Sequence, residues 1–354
     1  MKKLYLTVLR YWYTLRYLKF SQLGERIWKR FKWVKIDLLS AGALREQSAT
    51  WVDPARQTQR MFREQSFCYL NETFDVVCAA DWNSTQRSKL WLYNLHYFDD
   101  LTAVDADQRT DWHRALVQRW IDENPPGVGN GWEPYPSSLR IVNWVKWVLV
   151  GNDLKSAWAN SLAVQARYLS SNLETHLLGN HLFANAKALL FAGLFFEGDE
   201  AEKWYQTGFK LIERELPEQV LTDGGNFELS PMYHVIFLED LLDLVNIHRA
   251  FGHKVPAILE EHIASMFYWL EVMCHPDGEI SFFNDAALGI TPTVVELKRY
   301  FDRITGFSGL TGELLSQKNQ VNHEYLVHPV KGSLIDLKES GYSRVEIGDA
   351  VALI

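Results

Sequence analysis

The sequence predicts a mainly α-helical protein, an incomplete α/α toroid of helical hairpins followed by the first strands of a truncated antiparallel β domain. Three observations lead there. Apolar residues recur at helical spacing in eight stretches, about 109–122, 137–150, 154–171, 181–196, 200–216, 231–251, 256–275 and 292–304, with Gly, Pro, Asn and Asp between them. Some of these stretches, such as SSLRIVNWVKWVLVG and NHLFANAKALLFAGLFF, are apolar around most of their circumference, whereas EAEKWYQTGFKLIERE keeps a polar face. Alternation of the two kinds predicts inner helices screened by outer ones, with a helical solenoid as the other architecture compatible with the pattern. After about residue 325, LVHPVKGSLIDL and GYSRVEIGDAVALI carry short β-type runs with turn residues between them.

The elements divide the chain into three parts. Residues 1–90 read as a basic helical start and an irregular lead-in, residues 91–325 as the toroid, and residues 326–354 as the start of a β-sheet domain. The opening MKKLYLTVLRYWYTLRYLKF resembles a secretion signal, but Arg10 and Arg16 interrupt its apolar run and no small-residue cleavage site follows. It reads instead as an amphipathic helix that packs on its own domain or associates weakly with a membrane surface. No segment approaches the roughly 20 apolar residues needed to span a bilayer. The chain stops on the apolar VALI, which predicts that the β domain is cut short. Without a secretion signal, a cytoplasmic location is expected, with the periplasm as the alternative.

Composition narrows the partners. The formal net charge of −8 over 354 residues argues against nucleic acid, which calls for a strong basic excess. It does not exclude an acidic polysaccharide, for which a local basic groove suffices. Aromatic residues make up 14% of the chain, including 14 Trp, and such rings serve either as core or as stacking platforms for sugars. The three cysteines, Cys68, Cys78 and Cys274, form no CxxC pair and predict neither a disulfide framework nor a zinc site. His176 and His181 lie five apart and share no helical face, so no metal or other cofactor is expected.

Four motifs could carry chemistry. Gly179-Asn180-His181 opens an inner helix, where Asn180 is either a helix cap or a functional amide. In DGGNFELSPMYH, Ser230-Pro231 starts the next inner helix and puts Tyr233 and His234 in its first turn, where the helix dipole favours an anionic phenolate or a substrate carboxylate. In a toroid, equivalent helix ends face the same opening. The loop NPPGVGNGWEPYPSSLR offers Trp132 and Tyr135 for stacking, followed by Arg140, or else caps the core with those rings. WLYNLHYFDDL adds Asn94 and His96.

These residue types suit β-elimination at a uronic acid. Removing the weakly acidic C5 proton requires a donor that neutralises the adjacent carboxylate, a base at C5 and an acid for the oxygen leaving C4. Asn180 can meet the first need, and His181 and Tyr233 the proton transfers, without a metal. Hydrolysis would use a carboxylate pair about 5–10 Å apart, for which Glu133, Glu228 and Asp285 are candidates. A non-catalytic glycan-binding or polysaccharide-assembly protein that retains the toroid groove is the remaining alternative.

In order along the chain, WLYNLHYFDDL, WEPYPSSLRIVNW, LLGNHLFANAKALLFAGLFF, DGGNFELSPMYH and HPDGEISFFNDAA resemble the heparinase II/III family of polysaccharide lyases. The resemblance implies an α/α toroid, a β-sheet domain, and β-elimination of uronate polymers in the cleft between them. It makes Asn180 the carboxylate neutraliser, His181 a base or assisting group, and Tyr233 either the acid alone or acid and base together. Trp132, Tyr135, Arg140 and Glu228 fall at positions that line the cleft, with His234, Asn94 and His96 as further substrate contacts. Family members also supply a His or Tyr from the β domain; His323 and His328 lie near its start here, without an assignable role.

Overall fold

The computed structural model describes residues 34–177, 179–306 and 332–354, together with Tyr13. The N-terminal amphipathic segment, His323 and His328 therefore lie outside the described residues. Nine α-helices occur among the described residues: α1 (Lys89–Tyr97), α2 (Thr110–Glu123), α3 (Pro134–Leu149), α4 (Ser156–Ser170), α5 (Gly179–Phe195), α6 (Asp199–Gln219), α7 (Pro231–Ala250), α8 (Ala257–Val272) and α9 (Val294–Thr305). None of them is long and apolar enough to cross a membrane.

Their packing follows the expected alternation. The odd-numbered helices touch in sequence, α1 with α3, α3 with α5, α5 with α7 and α7 with α9, and form the inner layer. Outside them α2 meets α4 and α4 meets α6, while α6 and α8 lie against α5 and α7. In α5, every residue from Leu182 to Phe195 is buried, so its all-round apolarity reflects neighbours on every side. The polar stripe of α6 faces solvent, with Ala201, Trp204, Gly208, Leu211, Ile212 and Leu216 turned inward.

Two helical features differ from the sequence expectation. The inner ring starts one helix earlier, with α1, capped by Ser88 Oγ accepting the Trp91 N–H (3.1 Å) and ended by Phe98 at φ 64°. Its many rings masked the apolar period. Helix α6 runs through Pro217 to Gln219 rather than ending before the proline.

The stretch expected to be irregular contains an antiparallel sheet of β1 (Met61–Arg63), β2 (Ser66–Tyr69) and β3 (Glu72–Asp75). Leu70 and Asn71 turn β2 into β3 with φ of 54° and 61°, the left-handed pair of a two-residue hairpin. Leucine is an unusual residue for that turn, which hides it in sequence. Trp51, Met61, Phe67, Tyr69 and Val76 from this region belong to the same hydrophobic core as the helices.

At the other end, β4 (Gly332–Leu337), β5 (Tyr342–Ile347) and β6 (Ala350–Leu353) form a second antiparallel sheet. Leu337 and Tyr342 pack on Trp269, Val272 and Met273 of α8 and its C-terminal end. Polar bonds reinforce the contact. Trp269 Nε1 donates to Ser340 Oγ (2.9 Å), and Ser340 donates from both N–H (2.7 Å) and Oγ (2.9 Å) to Asp223 Oδ2. The mainly helical toroid with antiparallel strands after it is thus the architecture of the described chain.

Candidate active site

Helices α5 and α7 are neighbours, and their N-terminal ends hold Asn180, His181 and Tyr233. Gly179 enters α5 at φ 61°, a conformation that strains any side chain, and leaves Asn180 and His181 in the first turn. Asn180 is therefore inside the helix start rather than before it, and its side-chain amide bonds to no described residue. Ser230 caps α7 by accepting the Tyr233 N–H (3.3 Å), with Pro231 at the first helical position. The Ser230 hydroxyl in turn donates to the Asp285 carbonyl (2.7 Å), and Asn284 Nδ2 donates to the Leu229 carbonyl (2.7 Å). These bonds bring the 281–290 loop over the start of α7.

Glu228 stands between the two helix ends. It accepts the backbone N–H of Asn180 and feels the charges of His181 and Asp285. Burial raises its carboxyl above the usual range and Asp285 adds to the rise, while His181 and the Asn180 N–H oppose it. The Tyr233 hydroxyl donates to Asp285 Oδ2 (3.4 Å). Burial, then the charges of Asp285 and Glu228, raise this phenol above its ordinary value. The phenolate favoured by the helix dipole alone is thus outweighed, and Tyr233 is held as the neutral phenol.

His181 is half-buried and held on two sides. Its Nδ1 lies 3.3 Å from Oε1 of the buried Glu174, and its ring lies on Tyr135 with centroids 4.3 Å apart. Tyr135 also meets Tyr97 edge-on at 5.8 Å, and Tyr233 lies within electrostatic reach of both phenols. Tyr93 donates to Glu133, which also pairs with Lys89 at 3.0 Å. Glu174, Tyr93 and Tyr97 were not singled out in the sequence. Glu174 sits in a turn with no periodic pattern, and the tyrosines sit among other rings.

Several sequence candidates lie elsewhere. Trp132 is 2% exposed; its indole donates to the Asn124 carbonyl (3.2 Å) and packs on Trp120 and Tyr168. It is core rather than a stacking platform. Arg140 is fully buried, donating to Gln165 Oε1 (2.9 Å), the His96 carbonyl (3.2 Å) and Ser137 Oγ (3.3 Å), with its guanidinium over Trp120. It holds helices together and is not a cleft cation.

The buried histidines are likewise structural. His96 Nδ1 accepts from Trp120 Nε1 (3.0 Å), and its Nε2–H donates to the Trp82 carbonyl (3.1 Å). His234 accepts from the Asn226 N–H (3.2 Å), donates to the Met266 carbonyl (2.9 Å) and stacks on Trp269. Neither ring has a nitrogen left for substrate. Asn94 turns back along α1 and donates to the Leu90 carbonyl (2.8 Å). A tight hydrogen-bond demand in the core selects the same residue types as a cleft does, so sequence pattern alone does not separate them.

The remaining group comprises an amide, an imidazole and a phenol at two helix N-termini, with Glu228 and Asp285 beside them. Such an arrangement can bind an anionic group at the helix ends and move protons on either side of it. Among the described residues, no group of three or more His, Cys, Asp or Glu side chains gathers in a way that could hold a metal ion.

Comparison with known proteins places the chain in a family. Residues 32–305 match the family described as Heparinase II/III N-terminus. A heparin-sulfate lyase of Pedobacter heparinus is 34% identical over 186 residues, covering 47% of this chain and 27% of that protein. One from Bacteroides stercoris is 34% identical over 113 residues, covering 31% and 17%. Among solved structures, Heparinase III superposes with a TM-score of 0.55 at 19% identity, covering 77% of this chain and 46% of that one. Heparan sulfate lyase HepC from Pedobacter heparinus gives 0.52 at 20% identity, covering 82% and 48%. The chain thus spans about half the length of these solved relatives and shares their fold. With more than two hundred consecutive residues matched and the toroid in place, the chain belongs to the heparinase II/III family.

Proposed function

We propose that this chain is a polysaccharide lyase that cleaves a uronic-acid-containing polymer by β-elimination, a reaction in which no step requires a metal. The observation that carries the reading is the Asn180 side-chain amide. It bonds to no described residue, yet it stands at a helix N-terminus beside His181, with Glu228 between it and Tyr233. A polar group without a partner among the described residues at such a place suits a ligand carboxylate. The relatives named heparin-sulfate lyase support the substrate class.

In this reaction Asn180 donates to the uronate carboxylate and stabilises the charge that develops there. His181 takes the C5 proton, and Tyr233 gives its proton to the glycosidic oxygen leaving C4. The C5–H electron pair becomes the C4=C5 double bond as the C4–O bond breaks, so the elimination balances without water. The Tyr233 phenol, raised above an ordinary value that already lies well above neutral pH, is protonated when substrate binds, as a donor must be, although the rise itself makes it a weaker acid.

The test is incubation with a panel of uronate polymers, following the ultraviolet absorbance of the unsaturated product. Tyr233→Phe and Asn180→Ala should each reduce the rate by about 100-fold or more, with thermal unfolding unchanged. New reducing ends without unsaturation would overturn the proposal in favour of hydrolysis by Glu228 and Asp285. That second reading draws on one observation, the raised carboxyl of Glu228 beside Asp285.

A further inference from the structure

The Nδ1 edge of His181 meets a closed hydrogen-bond chain. The backbone N–H of Glu174 donates to Asn185 Oδ1 (2.8 Å), which fixes the orientation of that amide. Asn185 Nδ2 then has its two hydrogens directed to Glu174 Oε2 (3.1 Å) and Ser138 Oγ (3.0 Å). Ser138 is itself anchored, donating from Oγ to the Pro134 carbonyl (2.8 Å). Asn185 and Ser138 are fully buried, and Glu174 is 7% exposed. With Oε2 occupied, the remaining oxygen, Oε1, faces His181 Nδ1 at 3.3 Å.

We infer that Glu174 is a positioning residue whose carboxylate, locked by Asn185 and Ser138, holds His181 as the Nδ1–H tautomer and leaves Nε2 unprotonated. The role follows from donor and acceptor chemistry. A carboxylate only accepts, so the nitrogen facing it carries the hydrogen. Tyr135 lies against the ring and limits its rotation. The basic nitrogen is then Nε2, the one not engaged by Glu174, and on the lyase reading it is the nitrogen that takes the C5 proton. The inference deepens the lyase reading and rests on it for its catalytic meaning, but the tautomer itself does not.

The chain makes the isosteric change informative. In Glu174→Gln the new side chain has one acceptor and one donor end. Asn185 cannot turn to suit it without losing its bond from the Glu174 N–H, so the glutamine oxygen goes to Asn185 and its NH2 faces His181. That donor demands an acceptor at Nδ1 and forces the opposite, Nε2–H tautomer.

The experiment is nitrogen NMR of 15N-histidine-labelled protein, with the His181 signals assigned by their loss in His181→Ala. The wild type should show Nδ1–H with an unprotonated Nε2 at neutral pH, and Glu174→Gln the reverse. In parallel, kcat on a cleaved polymer should fall by about 100- to 10,000-fold in Glu174→Gln, with KM within about two-fold, as expected for a base in the wrong tautomer. Thermal unfolding of that variant separates this effect from loss of fold, and the wild-type spectrum needs no variant to fold. An Nε2–H tautomer in the wild type, or wild-type kcat in Glu174→Gln, overturns the inference. A correct tautomer pattern in a protein that cleaves no uronate polymer would keep the clamp and refute the lyase reading.

Discussion

At the scale of single residues, the same side chains serve the core and the cleft, and only the location of their partners distinguishes them. His96, His234 and His181 all stand in motifs that read as functional, but the first two have both ring nitrogens engaged inside the fold. Burial, together with Arg140 in the case of His96, pushes the imidazole of His96 down to about 3; burial takes His234 and His248 down to about 4. In the unfolded chain these rings protonate near their ordinary value of about 6.5. Between that value and the folded one, the unfolded state binds more protons, so stability is complete above about pH 6.5 and declines as pH falls. Each of the three contributes up to about 1.4 kcal/mol per pH unit across its window. Thermal unfolding followed from about pH 7 to pH 5 should show the midpoint falling, and His96→Gln should flatten that slope. Burial raises Glu239 to about 7 and acts in the opposite direction over the same range, so the deciding comparison is with the variant: an unchanged slope in His96→Gln would contradict the neutral tautomer assigned to His96. None of this was visible in the sequence, because the partners of His96, Trp82 and Trp120, lie 14 and 24 residues away.

At the scale of elements, the apolar period located eight of the nine described helices to within a few residues, because inner and outer faces have different solvent exposure. The period says nothing about the charges buried between the helices. Lys146 of α3 and Lys187 of α5 meet Glu239, Asp240 and Asp243 of α7, and Tyr300 of α9 donates to Asp243 Oδ1 (2.9 Å). Lys187 Nζ lies 2.6 Å from Asp240 Oδ1 and 2.5 Å from Asp243 Oδ2, and both lysines are almost fully buried. The carboxylates around Lys187 offset the cost of its burial and hold its amine above the ordinary range, while the two lysines hold Asp243 below its own. The cluster joins four consecutive inner helices, and in sequence each member reads as an unremarkable charge in an apolar stretch. Lys187→Ala should destabilise the protein by about 3–5 kcal/mol, since it leaves buried carboxylates with half their counter-charge. Denaturant titration measures this directly. A loss below about 1 kcal/mol would mean that water reaches the cluster and screens it.

At the scale of the whole molecule, the second sheet supports the site as well as extending the fold. Asp223 is the joint. Its Oδ1 accepts the Gly225 N–H (3.0 Å) and its Oδ2 accepts both bonds from Ser340, so one carboxylate ties the loop leading to Glu228 and Tyr233 to the β4–β5 turn. Tyr342 adds a second tie, donating to the Leu229 carbonyl (2.8 Å) and accepting from Asn284 Nδ2 (3.2 Å). The sequence foretold strands after the helices, but their contact with this loop depends on pairs more than a hundred residues apart. Asp223→Ala would remove three accepted hydrogen bonds while leaving the main helical core untouched. Lost bonds of this kind cost about 1 kcal/mol each, more where the donor is left buried without a partner. The 221–230 loop and the sheet should then open locally before the helices unfold. Hydrogen exchange is expected to rise in residues 221–230 and 332–354 while α3, α5 and α7 stay protected. On the role proposed for Tyr233, activity against a cleaved polymer should drop about 10-fold or more, because small displacements of a proton-transferring group weaken the transfer strongly. Faster exchange spread evenly over the inner helices would show instead that sheet and toroid unfold as one unit, and that Asp223 supports the fold as a whole rather than the site.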